Sequence, residues 1–128
     1  IQDAKDNGYK FLLGGDVDPS GSGYYVPISI LDNPPEDARI VAEEQFGPVM
    51  PLMKFSTEEE VIERANNTEY GLAGAIWSGY PDKGEDGAEL LVSGRVWGPD
   101  VVQVDPLAPV GGQNHVHGFT ASTLFLYG

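Results

Sequence analysis

Several groups of side chains in this sequence have types and spacings that could do chemistry. Glu43-Glu44 and Glu58-Glu59-Glu60 are carboxylate runs of the kind used for acid/base work. Asp16-x-Asp18-x-Ser20-Gly21 sets oxygens at alternating positions, like the opening half of a calcium loop. The bidentate acid of such a loop would fall on Pro27, so a solvated turn is the simpler expectation. His115-x-His117 would put two imidazoles on one face of an extended segment, with no third ligand fixed by spacing. Asp105, His115, His117 and Ser122 supply the residue types of a hydrolase, but nothing fixes their geometry and no G-x-S-x-G elbow occurs. Gly21-Ser22-Gly23 is a G-x-G without the rest of a dinucleotide fingerprint. The chain has no cysteine, which excludes disulfides, thiolate metal sites and a cysteine nucleophile. No metal site and no catalytic residue is assigned.

The elements that must position these groups alternate between strands and helices. A helix end runs through Asn7-Gly8 into a short apolar strand at 9–13, closed by Gly14-Gly15. The run 24–31 (YYVPISIL) reads as a strand, with Pro27 confining it to an edge or a strand start. Pro34-Pro35 blocks a helix until Glu36, and VMPLMKF at 49–55 reads as the next strand. Ser56 with Glu59 fits the capping-box pattern, which opens a helix with Val61, Ile62 and Ala65 on its apolar face. On this reading the three glutamates sit in the first helical turn, facing the positive end of the helix. YGLAGAIW at 70–77 reads as a buried strand, and the breaker-rich stretch 78–87 as a charged loop. One helical turn at 88–92, a short strand RVW at 95–97 and a late apolar run at 122–127 follow. Trp77 and Trp97 are expected to fill core. Asn66-Asn67-Thr68 is a formal glycosylation sequon with no secretory signal beside it.

Composition narrows the classes. Seven basic against 20 acidic residues give a net charge of −13 in a chain of 128 residues, which repels phosphate backbones and anionic lipid. Nucleic-acid and membrane partners are therefore not expected. No apolar run approaches the roughly 20 residues of a membrane span, and a cytoplasmic protein is expected. Seventeen glycines and 10 prolines predict many turns. Ile1 in place of a starting Met suggests processing, trimming or a fragment.

Read as a string, 23–55 resembles the C-terminal part of the aldehyde dehydrogenase superfamily. The E-E-x-F-G-P-V core stands as Glu43-Glu44-Gln45-Phe46-Gly47-Pro48-Val49. At family spacing it is followed by STEEEVIERANNTEYGLAGAIWS at 56–78, which is similar to the helix, the A-N-x-T-x-Y-G-L turn and the strand of that family. GRVW at 94–97 and DPLAPVGG at 105–112 resemble the next two landmarks. The resemblance implies NAD(P)-dependent oxidation of an aldehyde to a carboxylic acid. In that chemistry a cysteine attacks the carbonyl, hydride passes to nicotinamide, and a glutamate-activated water hydrolyses the thioester. It further implies that Glu44 hydrogen-bonds the nicotinamide ribose, that Phe46 packs beside the nicotinamide ring, and that Pro48 stiffens the loop holding Phe46.

The chain also departs from that family. The nucleophilic cysteine, the cofactor fingerprint and the general-base glutamate block are absent. Gly98-Pro99 follow Trp97 where the family has an asparagine, and Val110 replaces an aromatic. Gln113-Asn114-His115-Val116-His117-Gly118 stands where Lys and Ser-Gly usually follow the glycine pair, and Gly84 and Gly87 replace the helix before GRVW. The expected fold is α/β, a partial aldehyde-dehydrogenase catalytic-domain fold with a mixed, open sheet and few helices. Its dehydrogenase-like segment would be 1–112 and its divergent tail 113–128. The expected function is a C-terminal segment of an NAD(P)-dependent aldehyde dehydrogenase, inactive alone and homo-oligomeric. Aldehyde substrate and NAD or NADP would be its partners in the complete enzyme. Two other readings stay open: a stand-alone, self-associating module that uses an exposed sheet edge, and a small hydrolase on the same scaffold.

Overall fold

The computed structural model describes residues 1–97 and 122–126. The chain divides into two compact units, Ile1–Lys54 and Phe55–Gly128. The expected boundary at residue 112, Asp105, His115 and His117 lie outside the described residues.

In the first unit, helix α1 (Gln2–Asp6) buries Ala4 and turns at Asn7 into strand β1 (Phe11–Leu13). Strand β2 (Ser29–Asp32), helix α2 (Arg39–Ala42) and strand β3 (Val49–Leu52) follow. The sheet order is β1-β2-β3. β1 runs antiparallel to β2 with a register break between Phe11 and Leu13, and β3 runs parallel to β2 in register from Ser29↔Val49 to Asp32↔Leu52. One face of this mixed sheet closes over Ala4, Leu31, Ala38 and Ile40, with Tyr9, Phe11, Val41 and Val49 packed around them. The strand expected over 24–31 begins only at Ser29. Pro27 has no N–H to give a ladder, and Tyr24 and Tyr25 ahead of it are exposed.

Gly14 makes the turn before β2 possible. Its φ of +67° suits glycine, and a Cβ there would stand 2.2 Å from the Ile28 carbonyl oxygen and 2.6 Å from Ser29 Oγ. Ser29 is fully buried, and its hydroxyl is satisfied on both sides. It accepts from the Gly15 amide at 2.9 Å and donates to the Pro27 carbonyl at 3.1 Å. Pro51 is tolerated in β3 because of parity. The Ser29 and Asn33 amides donate to the Pro48 and Leu52 carbonyls, so even-numbered residues of β3 face β2 and the Pro51 nitrogen points away from it.

The second unit opens with helix α3 (Glu58–Asn66), followed by strand β4 (Ala73–Trp77), helix α4 (Pro81–Leu90), strand β5 (Arg95–Trp97) and strand β6 (Ser122–Leu126). Its sheet is all parallel in the order β5-β4-β6. The first four residues of central β4 are buried, on both faces of the strand, which is why its sequence AGAIW is continuously apolar.

Two sequence expectations are corrected here. The capping box sits one residue later than Ser56/Glu59. Thr57 is the N-cap, accepting from the Glu60 amide at 3.2 Å, while the Glu60 carboxylate accepts from the Ser56 amide at 2.9 Å. Both pairs fit the sequence pattern, and the extended backbone of Thr57 decides between them. The charged loop expected at 78–87 is helix α4, which begins with Pro81 in its first turn after extended Tyr80. Gly87 within it lets the helix lie against β4, since a Cβ there would reach 3.1 Å from Ile76 Cδ1. Among the described residues, no helix is long and apolar enough to cross a membrane.

Candidate functional site

Glu44, Phe46 and Pro48 share one loop, 43–48, between α2 and β3. The loop starts where Glu43 leaves helical geometry, at φ −112° and ψ 144°, with its amide still bonded to the Arg39 carbonyl. The Glu43 carboxylate is taken up by Arg39, Nε to Oε1 and Nη2 to Oε2, both at 2.8 Å. That guanidinium holds the Glu43 carboxyl below its ordinary pKa, and Asp3 lies 3.9 Å from its other nitrogen. At the far end of the loop, the Val49 amide donates to the Gly47 carbonyl and the Ser29 amide to the Pro48 carbonyl, both at 2.8 Å. Between these anchors the Gln45 side chain donates to the Ile40 carbonyl at 2.7 Å and to the Glu43 carbonyl.

Within this frame Glu44 is exposed, and its carboxylate has no hydrogen bond or ion pair among the described residues. It joins Asp3, Arg39, Ile40, Glu43 and Gln45 in the lining of an open pocket of about 220 Å³. Phe46 is 87% exposed and does not line that pocket; nor does exposed Pro48. An unpartnered carboxylate can accept from the two hydroxyls of a sugar diol, and a bare aromatic face can pack a planar ring. The residues present therefore fit a dinucleotide's nicotinamide riboside.

Several of the other candidate groups are occupied. Asp16 pairs with Lys5 Nζ at 2.6 Å, and this lysine lowers the Asp16 pKa. Asp18 Oδ1 accepts from the Ser20 amide at 2.8 Å and the Ser20 hydroxyl at 2.6 Å, closing an Asx turn instead of presenting free ligands. Among the described residues no cluster of three or more His, Asp or Glu could hold a metal ion. Glu60 is spent on the helix cap. Asn66 of the sequon has both ends of its amide engaged, Nδ2 on the Leu90 carbonyl at 2.9 Å and Oδ1 on the Val92 amide at 2.8 Å. Sequence reasoning missed this clamp between the ends of α3 and α4. Its position inside the A-N-x-T-x-Y-G-L turn was the available signal.

The profile of the aldehyde dehydrogenase family matches residues 1–118. The chain belongs to that family. Betaine aldehyde dehydrogenase of Bacillus subtilis is 46% identical over 110 residues, covering 84% of this chain and 22% of its own. Aldehyde dehydrogenase 1A1 of Gallus gallus is 45% identical over 98 residues, covering 76% of this chain and 19% of its own. The structure of an aldehyde dehydrogenase from Bacillus cereus in its NAD⁺ complex superimposes with a TM-score of 0.80 at 37% identity, over 88% of this chain and 23% of that one. The chain thus spans about a quarter or less of the length of the aldehyde dehydrogenases it matches. The α/β architecture with mixed strand pairing and few helices is that of the matching part of these enzymes.

Proposed function

We propose that this chain is the C-terminal segment of an NAD(P)-dependent aldehyde dehydrogenase, with 1–112 as its dehydrogenase-like portion and 113–128 as a divergent tail. Loop 43–48 forms the nicotinamide side of its dinucleotide site. The observation that carries this reading is the exposed Glu44 carboxylate, unpartnered among the described residues and two residues from the bare ring of Phe46, on a loop fastened at both ends. The NAD⁺ complex of the Bacillus cereus relative supports it by family. When bound, the dinucleotide supplies the hydride acceptor for aldehyde oxidation. Glu44 accepts from the ribose hydroxyls, Phe46 packs against the ring, and Pro48 limits the backbone freedom of the loop. Nucleophilic attack needs a cysteine that these 128 residues do not contain, so the segment alone does not turn over aldehyde.

The test is calorimetric titration of NAD⁺ into the full protein chain carrying this segment, beside its Glu44→Gln variant. Loss of a charged acceptor for the ribose weakens binding by about tenfold without lowering the melting temperature. Equal affinity in the two proteins would remove the cofactor role from this loop.

A further inference from the structure

We propose that Gln45 is a positioning residue, a side-chain cap that fixes the directions of Glu44 and Phe46; the inference rests on the dinucleotide reading of their loop.

Helix α2 is only four residues long and ends abruptly. Its backbone ladder stops at the Glu43 amide, which reaches the Arg39 carbonyl. Because Glu43 is already extended, the chain has turned away before the Glu44 amide could serve Ile40. The Ile40 carbonyl is instead taken by Gln45 Nε2 at 2.7 Å, and the same nitrogen donates to the Glu43 carbonyl. One primary amide therefore ties the last turn of the helix to the loop, using both of its N–H groups. Ile40 is itself buried in the core of the first unit, so the anchor point is rigid. Gln45 is half-buried, whereas Glu44 and Phe46 on either side of it are exposed.

Gln45 is drawn onto the helix end, while its neighbours Glu44 and Phe46 both stay exposed. Anchoring Gln45 on the helix end therefore holds the two exposed neighbours on the solvent side of the loop. Without the cap, the segment between Glu43 and Gly47 loses its side-chain tether, and binding must order it at an entropic cost. The effect belongs to ligand affinity, because the two outward side chains contribute little to the core.

The experiment compares Gln45→Met, of similar length but with no donor, and Gln45→Lys, which restores an N–H at the helix C-terminus. Both are made in the full protein chain, beside Glu44→Gln, with NAD⁺ dissociation constants and melting temperatures as readouts. The expected result is an NAD⁺ affinity about fivefold weaker for Gln45→Met, the effect of one net hydrogen bond. Gln45→Lys should return to near the parent value, with all melting points close together. A Gln45→Met affinity unchanged beside a weakened Glu44→Gln would overturn the positioning role and leave the dinucleotide reading standing. If Glu44→Gln is also unchanged, both fall. A melting point lowered in Gln45→Met and not restored by Lys would reduce Gln45 to a structural part and likewise overturn the proposal.

Discussion

Arg39 grips the Glu43 carboxylate with two parallel hydrogen bonds, both 2.8 Å, one residue before Glu44. Two neighbouring glutamates of identical chemistry are thereby separated in role. One is held in a bidentate pair, the other left open to solvent.

This asymmetry makes the first prediction a contrast. Glu43→Gln should leave NAD⁺ affinity within about twofold, because its carboxylate is engaged elsewhere and exposed pairs are weak. Glu44→Gln should lose about tenfold. Parallel titrations of the two variants check it, and equal losses would mean that the charge of the run matters rather than the position of Glu44.

Phe46 is 87% exposed, so its ring adds little to folding. Phe46→Ala should keep the melting temperature and weaken NAD⁺ binding by about fivefold, the scale of an aromatic contact. Phe46→Tyr, which preserves the ring, should stay near the parent. Titration calorimetry with a melt of each variant separates the two effects.

The sequence gives direct access to the loop that carries the candidate residues and leaves part of the fold opaque, for physical reasons that individual residues display. Glu43 to Pro48 form one contiguous loop running into β3, so the motif is readable from local spacing alone. β4 was clear because an apolar run such as AGAIW tolerates burial on both faces. Helix α4 was missed because Gly84 and Gly87 carry a propensity penalty that tertiary packing overrides. The space Gly87 leaves is filled by Ile76, a residue distant in sequence. The frame of the cap shifts by one because Ser56 and Thr57 offer equivalent hydroxyl acceptors, and only backbone geometry distinguishes them. The partners of Gln45 and Asn66 are not readable for a related reason, since each depends on where a backbone turns away from its own helix.

Gly14 and Gly8 provide a matched pair on stability. Both have positive φ, +67° and +74°, so alanine at either meets the left-handed strain of about 1 kcal/mol or somewhat more. At Gly8 an added Cβ enters open space, whereas at Gly14 it would stand 2.2 Å from the Ile28 carbonyl oxygen. That carbonyl precedes fully buried Ser29, whose own bonds hold the strand, so the backbone cannot easily retreat. Gly14→Ala should therefore be the more destabilising by about 1–3 kcal/mol, measured by urea unfolding of both variants. Equal costs would place the strain in φ alone.

Glu60 sets a pH dependence whose direction follows from its partners. The Ser56 amide donates to its carboxylate, and Arg64 lies 3.0 Å away, so the folded-state pKa is below the ordinary glutamate value. A carboxyl with a depressed folded pKa contributes stability that is fully present above its unfolded pKa and is lost as pH falls through the folded one. Glu60→Gln keeps a cap acceptor but no titration. The stability gap between the parent and Glu60→Gln should thus be constant around neutral pH, shrink below about pH 4.5, and close in stronger acid. Denaturant midpoints of both proteins across that range measure it. A gap that widened on acidification would mean the carboxyl is better bonded when protonated, the opposite of a reciprocal cap with Thr57.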